Sequence, residues 1–557
     1  MQRLTRLLMP VVLFSCATVL CLAEPQSPLT RHVRDAVLNG QAPFVGRLPA
    51  NQSLQLDVVL ALHDQTGLDS FLQEIYDPSS PSYRHFLTVE QFTERFGPSQ
   101  KDYDAVILLA EENGFQVVGG SRDALDVQVK GSVAAIESVF HVTLALYHDP
   151  IENRDFYAVD REPTVELPFQ LWHISGLDNY SIPRPELARR PRGMTAQAQT
   201  GSCPQKSFCG SDMRAAYYEA TTLTGKGQNI GLLEFLGYDI ADVNTYYKGA
   251  KQKRVGTIKG ISTDGTPLKC LYSQGCDDTE QTLDITQSLG MAPSATVYVY
   301  VGSSDTAILG SMVSHKPLPL QLSASWGWGP PVDPKTDDPY FKKMAAQGQS
   351  FLKGAGDLGN WNTGSYECWP CDDPYLTSVG GTDLKTKGAG KGWASETVWC
   401  YGYQNGCGGG GISPNGFSIP KWQKLSGVIT KANKGSTKYR NGPDVSANAD
   451  YTFYVCADQT GLGGCTANEY GGVSFAIPMW AGYIALANEQ AAEKGKKPVG
   501  FINPTIYSLG VGKNYHTDFH DITSGSNGYP ATKGYDLASG WGSPNTDGLI
   551  NALTGSK

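Results

Sequence analysis

One serine of this chain lies in a run of small residues that leads into an apolar segment. Its surroundings are Gly471-Gly472-Val473-Ser474-Phe475-Ala476-Ile477-Pro478, and the apolar run to Leu486 predicts a helix. A serine at the start of a helix has an accessible hydroxyl beside the positive end of the helix dipole, which suits a nucleophile. Six of the nine histidines precede residue 200, and the other three lack a small-residue setting: His315, His516 and His520. Ser474 is therefore either structural or served by a carboxylate base.

Three acidic residues are candidates for that chemistry. Glu280 and Asp284 are four residues apart, so they share one face of a helix, as pairs on solvated helices also do. The helix is predicted to end at Gly290 and Pro293, before a buried strand at 295–300. Asp357 lies among glycines in the segment 354–359, where an acid is also a common turn residue.

Taken in order along the chain, these segments resemble the sedolisins, the family of serine-carboxyl peptidases. The resemblance extends from about residue 203 to the C-terminus, and the octet around Ser474 also resembles the nucleophile segment of the subtilisin clan. Val473 departs from the family, which usually has threonine before the serine. Further motifs agree in order, namely Gly225–Gln228, Ser323–Gly327, Trp393–Trp399 and Pro443–Ala447.

The resemblance implies a role for each candidate. Ser474 would be the nucleophile, Glu280 its general base and acid, Asp284 the residue that orients Glu280, and Asp357 the oxyanion donor. A carboxyl group donates a hydrogen bond only when it is protonated, so these roles fit an acid-active enzyme. The substrate cleft is expected to be bordered by Ser325, Trp326 and Gly327, since an extended peptide needs close backbone approach.

A second group of candidate site residues lies near the C-terminus. Asp521 and Asp536 flank a glycine-rich loop whose oxygens suit calcium, although a surface Asx-turn loop has the same composition. The sedolisin resemblance implies one calcium ion, held by the side chains of Asp521 and Asp536 and the carbonyls of Ile522, Thr532 and Gly534. The family usually has a longer loop here and glycine at the place of Thr532.

The chain is predicted to have four parts. Residues 1–23 carry Arg3 and Arg6 before an apolar stretch and predict a secretory signal peptide. Residues 24–182 alternate strands and amphipathic helices, which predicts a small α/β domain resembling the sedolisin prosegment, with an independent substrate-binding domain as the alternative. The segment 183–202 is rich in proline and arginine and predicts an exposed processing linker. Residues 203–557 form the predicted peptidase domain.

Cysteine usage supports export. Two of the twelve cysteines fall in the signal segment, and an even ten remain in an exported chain, which predicts structural disulfides. The ten form close pairs at 203/209, 270/276, 368/371, 400/407 and 456/465.

The fold class predicted is α/β, with a subtilisin-like parallel-sheet catalytic domain after a small ferredoxin-like α/β prosegment. The function predicted is a secreted, acid-active serine-carboxyl endopeptidase that matures itself from a proenzyme, is a monomer and is inhibited by its own prosegment. A tripeptidyl-peptidase of the same family and an inactive secreted binding or adhesion module are the alternatives. The net charge of −9 and the lack of a basic stripe exclude nucleic acid as a partner, and no later segment predicts a membrane span.

Overall fold

A computed structural model describes residues 25–194, 200–363, 367–458 and 464–555. The predicted signal peptide, 1–23, and residues 195–199 of the predicted linker lie outside these ranges. No helix within the described ranges has the length and apolar character needed to cross a membrane.

The N-terminal part folds around a four-stranded antiparallel sheet. Its strands, in spatial order, are Gln116–Ser121, Asp126–Ser132, Ser53–Leu60 and Leu171–Ser175. A three-stranded antiparallel sheet of Phe44–Arg47, Leu144–Asp149 and Arg154–Val159 lies beside it. The helices are Asp35–Leu38, Gln65–Ile75, Val89–Arg95, Gln100–Glu112 and Val133–Phe140. The predicted small domain of strands and helices is therefore present.

The larger part is built on an eight-stranded sheet, parallel except for one strand. Seven strands follow the order Thr257–Ser262, Thr296–Val301, Asn229–Glu234, Gln321–Ala324, Ser350–Gly354, Thr377–Thr386 and Trp393–Val398. The eighth, Val445–Asn448, pairs in parallel with Thr377–Thr386, and Trp393–Val398 is the antiparallel strand. This architecture confirms the predicted subtilisin-like α/β class.

Both faces of this sheet are covered, which explains its apolar strands. Neighbouring residues of one strand point to opposite sides, so Leu232 packs with the helices Thr279–Met291 and Ala476–Glu493. Leu233 packs on the other side with the helices Asp305–Ser314 and Asp338–Ala346. The apolar cluster on the Leu233 side of the sheet continues into the N-terminal part through buried Phe71, Phe92 and Trp172. The two parts therefore share a hydrophobic core.

Further helices of the larger part are Gly210–Tyr217, Ile240–Gly249, Asn503–Gly510 and Gly548–Leu553. All five predicted cysteine pairs are bonded as disulfides: Cys203–Cys209, Cys270–Cys276, Cys368–Cys371, Cys400–Cys407 and Cys456–Cys465. Each closes a loop of fewer than ten residues, so they brace local surface segments rather than the whole fold.

Candidate active site

The candidate nucleophile lies at the start of the long helix, as its sequence setting predicts. Residues Val473–Phe475 form a 3-10 turn that continues into the helix Ala476–Glu493, and Ser474 is fully buried. The turn depends on Gly472, because its φ of +121° is a conformation that glycine adopts readily and other residues rarely do. A side-chain carbon at Gly472 would also lie 2.6 Å from Asp357 Oδ2. The glycine therefore lets a carboxyl group approach the serine.

Glu280 and Asp284 lie on the buried helix Thr279–Met291, where Glu280 is close to the Ser474 hydroxyl. Both side chains are buried, and the Ser325 hydroxyl donates a 2.8 Å hydrogen bond to Asp284 Oδ1. Within the described structure, neither oxygen of Glu280 has a protein hydrogen-bond partner that meets ordinary geometry. The helix thus brings the two predicted acids to one site and leaves Glu280 free to exchange a proton.

Sequence reasoning missed a third carboxylate in this cluster. Glu234 is the last residue of the strand Asn229–Glu234 and is fully buried, and Trp326 Nε1 donates a 2.8 Å hydrogen bond to its Oε2. An acid that ends an apolar strand was the available signal, because binding sites in parallel sheets lie at the carboxyl ends of the strands. Ser325 and Asp357 follow neighbouring strands at the same edge.

The clustered carboxyls hold their protons more tightly than free ones. Burial is the largest cause and raises the pKa of Glu280 well above its usual value, with the negative charge of Asp284 next and the Ser474 hydroxyl opposing. Burial likewise raises the pKa of Asp284 and, together with Asp284, that of Glu234. Three acids that repel one another in a dry site share protons as a group.

Asp357 is oriented as an oxyanion donor would be. It follows Gly356, whose φ is +92°, and its Oδ1 accepts a 2.8 Å hydrogen bond from the Val473 backbone N–H. Its Oδ2 is buried and has no partner among the described residues. Burial raises the pKa of Asp357 well above the usual range, although the Val473 N–H opposes the shift. A protonated Oδ2 can therefore donate into the cleft.

Residues 184–189 of the predicted linker lie beside Ser474, and most of them are exposed or half-buried. Residues Arg184–Pro185 pair antiparallel with Trp326–Gly327, and Ala188–Arg189 pair antiparallel with Tyr470–Gly471. Glu186, between the two pairs, is buried. Free strand edges on both sides supply backbone hydrogen bonds that a proline-rich segment can use, and local composition does not reveal such edges.

This segment presents a peptide carbonyl to the serine. The Glu186 N–H donates a 2.8 Å hydrogen bond to the Ser325 carbonyl. The Ser474 hydroxyl donates a 2.6 Å hydrogen bond to the Glu186 carbonyl, which also accepts a 3.1 Å hydrogen bond from the Ser474 backbone N–H. Ser325, Trp326 and Gly327, predicted to border the cleft, are thus among the residues that contact this segment.

The candidate calcium residues lie together in the C-terminal loop. Asp521 accepts hydrogen bonds from the Tyr515 hydroxyl and the Gly534 N–H, and Asp536 accepts from the N–H groups of Thr532, Ala538 and Ser539. Ile522 is buried beside Asp521 in sequence. Two carboxylates and carbonyls are hard oxygen donors of the kind calcium prefers, so the donor set fits. In the described ranges, no cluster of three or more His, Cys, Asp or Glu side chains could hold a metal ion.

The chain is similar to several known proteins. Residues 41–179 match the family model described as "Pro-kumamolisin, activation domain". The chain is 29% identical to kumamolisin of Bacillus sp. (strain MN-32), an alignment covering 96% of this chain and 98% of that protein. It is 26% identical to sedolisin of Pseudomonas sp. (strain 101), over 90% and 87%, and 22% identical to mouse (Mus musculus) tripeptidyl-peptidase 1, over 91% and 93%.

A solved structure shares the fold. Pseudomonas sedolisin, a serine-carboxyl proteinase complexed with two molecules of pseudo-iodotyrostatin, aligns with a TM-score of 0.51 at 23% identity. The alignment covers 65% of this chain and 99% of that one.

Proposed function

We propose that this chain is a sedolisin-type serine-carboxyl peptidase, an acid-active endopeptidase secreted as a self-processing proenzyme. The observation that carries the proposal is the carbonyl of Glu186, held against both Ser474 Oγ and the Ser474 N–H beside buried carboxyls. A peptide bond presented to a serine in this way is a substrate-like arrangement.

In the proposed mechanism, Ser474 Oγ attacks the carbonyl carbon while its proton passes to Glu280. Asp284 accepts a hydrogen bond from Ser325 and positions Glu280 through the shared helix face. The developing oxyanion receives hydrogen bonds from the Ser474 N–H and from protonated Asp357. Glu280 then returns the proton to the leaving amine, and a water molecule releases the acyl group through the same steps in reverse.

The pH range of activity depends on the protonation state of the carboxyls. Asp357 can donate only when protonated, and its pKa is raised by burial. Glu280 must be unprotonated to accept the serine proton, so one negative charge within the cluster is needed. Rising pH removes the Asp357 proton, and falling pH protonates the base, so activity is confined to the range between these two titrations.

The path of the linker favours an endopeptidase over a tripeptidyl-peptidase. The chain continues on both sides of Glu186, with Arg184 and Pro185 hydrogen-bonded upstream and Ala188 and Arg189 downstream. An enzyme that removes tripeptides needs an end wall for a free amino group three residues before the cut. The described linker instead runs on upstream, where the Ser181 hydroxyl donates a 2.7 Å hydrogen bond to the Pro330 carbonyl.

The prosegment is proposed to inhibit the enzyme by occupying this cleft until the linker is cut. The proposed domains are a signal peptide at 1–23, a prosegment at 24–182, a linker at 183–202 and the peptidase at 203–557. Calcium, when bound, would stabilise the C-terminal loop through Asp521 and Asp536, and it takes no part in the chemical steps.

The test is Ser474→Ala in the full-length proenzyme. We expect it to abolish cleavage of peptides at acid pH and to leave the chain unprocessed, because no other group can form the acyl intermediate. Ser508→Ala, an exposed serine on the helix Asn503–Gly510, is the matched control and should mature and cleave normally. Peptide hydrolysis that persists in Ser474→Ala would refute the mechanism.

A further inference from the structure

A buried lysine lies beside the proposed nucleophile and has no part in the mechanism above. Lys353 is fully buried in the strand Ser350–Gly354, four residues before Asp357. Its ammonium group forms a salt bridge with Glu186 Oε1, the side chain of the residue whose carbonyl faces Ser474. It also donates a 3.1 Å hydrogen bond to the Gly354 carbonyl. A buried charge is costly unless it is paired, so this lysine requires an explanation.

The backbone of the cleft identifies the subsite that contains Lys353. The Glu186 carbonyl is at the nucleophile and the Glu186 N–H bonds Ser325, so Glu186 takes the place of the residue just before the cut, P1. Its side chain then lies in the P1 pocket. Gly354 makes room for it, because a side-chain carbon there would lie 1.6 Å from Glu186 Oε2.

We propose that Lys353 makes this enzyme selective for an acidic residue, glutamate above all, at P1. The inference rests on the proposed function and names the substrate class of that same site. Glu186 then acts both as the model substrate side chain and as the residue after which the proenzyme cuts itself. Hydrolysis of the Glu186–Leu187 bond would consume one water and leave a new carboxylate on Glu186 and a new amino terminus on Leu187.

Lys353 attracts a carboxylate at this position, although burial still raises the pKa of Glu186 and the charge of Glu367 repels it. In the described ranges, Lys353 forms an ion pair with Glu186. After the proposed cut, Glu186 leaves together with the prosegment. Burial lowers the pKa of Lys353, while Glu186 opposes the shift most, followed by Asp357 and Glu280. Those last two acids are engaged in catalysis. A substrate carboxylate would replace the lost partner, an apolar side chain would leave the lysine unpaired, and a basic side chain would be repelled.

The first experiment profiles the mature wild-type enzyme. Four peptides that differ only at P1, carrying Glu, Gln, Leu or Lys, are compared by kcat/KM at one acid pH. We expect Glu to be preferred, Gln and Leu to be weaker, and Lys to be weakest. Equal or better cleavage after Leu or Lys would overturn the inference and leave the proposed peptidase function intact. Cleavage of none of the peptides would overturn the proposed function, and this inference with it.

The second experiment removes the charge. Lys353→Met keeps the length of the side chain, and we expect it to lower the Glu-to-Leu ratio of kcat/KM by roughly 10²-fold, because one partner of a buried pair is lost. Lys353→Arg should keep the acidic preference, and it serves as the test if the methionine variant does not fold. Lys343→Met is the matched control, since Lys343 is also fully buried but contacts the Asp123 carbonyl instead. An unchanged ratio in Lys353→Met would show that the pair only holds the linker in place.

The third experiment identifies the new amino terminus that forms when the proenzyme first matures in acid. Mass spectrometry of the earliest detectable product gives its first residue. Leu187 as the first residue supports the inference. In the double variant Lys353→Met with Glu186→Met, the cut at this bond should recover relative to Lys353→Met alone. A first cut after any of the arginines at 189–192, with the Glu186–Leu187 bond still intact, would contradict the assignment of Glu186 to P1.

Discussion

Replacing Asp357 separates its proposed role from that of the other carboxyls. Its Oδ1 already accepts the Val473 N–H at 2.8 Å, and its Oδ2 is buried without a partner among the described residues. In Asp357→Asn, the amide oxygen can keep the bond to Val473, which places the NH₂ group where Oδ2 now lies. The variant therefore keeps a donor toward the oxyanion, and this donor does not depend on pH.

The size of the effect follows from the number of donors. In the proposed mechanism two groups donate to the oxyanion, the Ser474 N–H and Asp357, so Asp357→Ala removes one of two. Loss of one such donor costs about 10²–10³ in kcat, or roughly 2.7–4 kcal/mol. Asp357→Asn should lose much less at the pH optimum. Since burial raises the pKa of Asp357, the wild type loses this donor as pH rises through that value, and the asparagine variant does not.

The assay is a pH–rate profile of wild type, Asp357→Asn and Asp357→Ala on one peptide. We expect the alkaline limb of the asparagine variant to lie at higher pH than that of the wild type, even if its maximum is lower. Asp373→Asn is the matched control, because Asp373 is also buried, its Oδ1 accepts a backbone N–H at 2.7 Å, and its Oδ2 has no partner among the described residues. It should leave the profile unchanged.

Two outcomes would refute this reasoning. Near wild-type turnover in Asp357→Ala would reduce Asp357 to a turn residue between glycines. An alkaline limb that does not move in Asp357→Asn would assign that limb to the Glu280–Asp284 pair, and Glu280→Gln should then be inactive at every pH.

Two further predictions concern stability. A chelator should lower the melting temperature of the wild type and of the control Asp547→Ala, but not that of Asp536→Ala. Bound calcium should stabilise the folded state by about 2.7 kcal/mol when its concentration is a hundredfold above its dissociation constant. A wild-type melting temperature that does not change with chelator would refute the site. The uncut Ser474→Ala proenzyme should be most stable near pH 4 and lose stability as pH rises to 8. Burial raises the pKa of Asp126 to about 6, of Asp242 to about 7 and of Asp284 to about 8, so the protonated forms favoured by the fold are lost across that range. A melting temperature, followed by calorimetry, that is flat or rises over this range would contradict the pKa directions.

Local patterns in the sequence were sufficient for the elements that carry the site. The helix Thr279–Met291, the helix after Ser474 and the five disulfides follow from periodicity, glycine and proline positions and close cysteine spacing, all of which act over a few residues. Motif order predicted which carboxyls and which serine would meet, and the structure places them at one edge of the sheet.

Tertiary structure alone decided the features that depend on distant partners. Glu234 joins the carboxyl cluster because strand order brings it beside Asp284, and a single acid at a strand end does not reveal its neighbours. Composition predicts an exposed linker around Glu186, and Arg184, Pro185 and Arg189 are exposed. Glu186 itself is buried, because strand edges more than a hundred residues away pair with the backbone on either side and Lys353 pairs with its side chain. Burial and pairing arise only when the chain folds back on itself, so their consequences for pKa and for substrate choice cannot be inferred from local sequence.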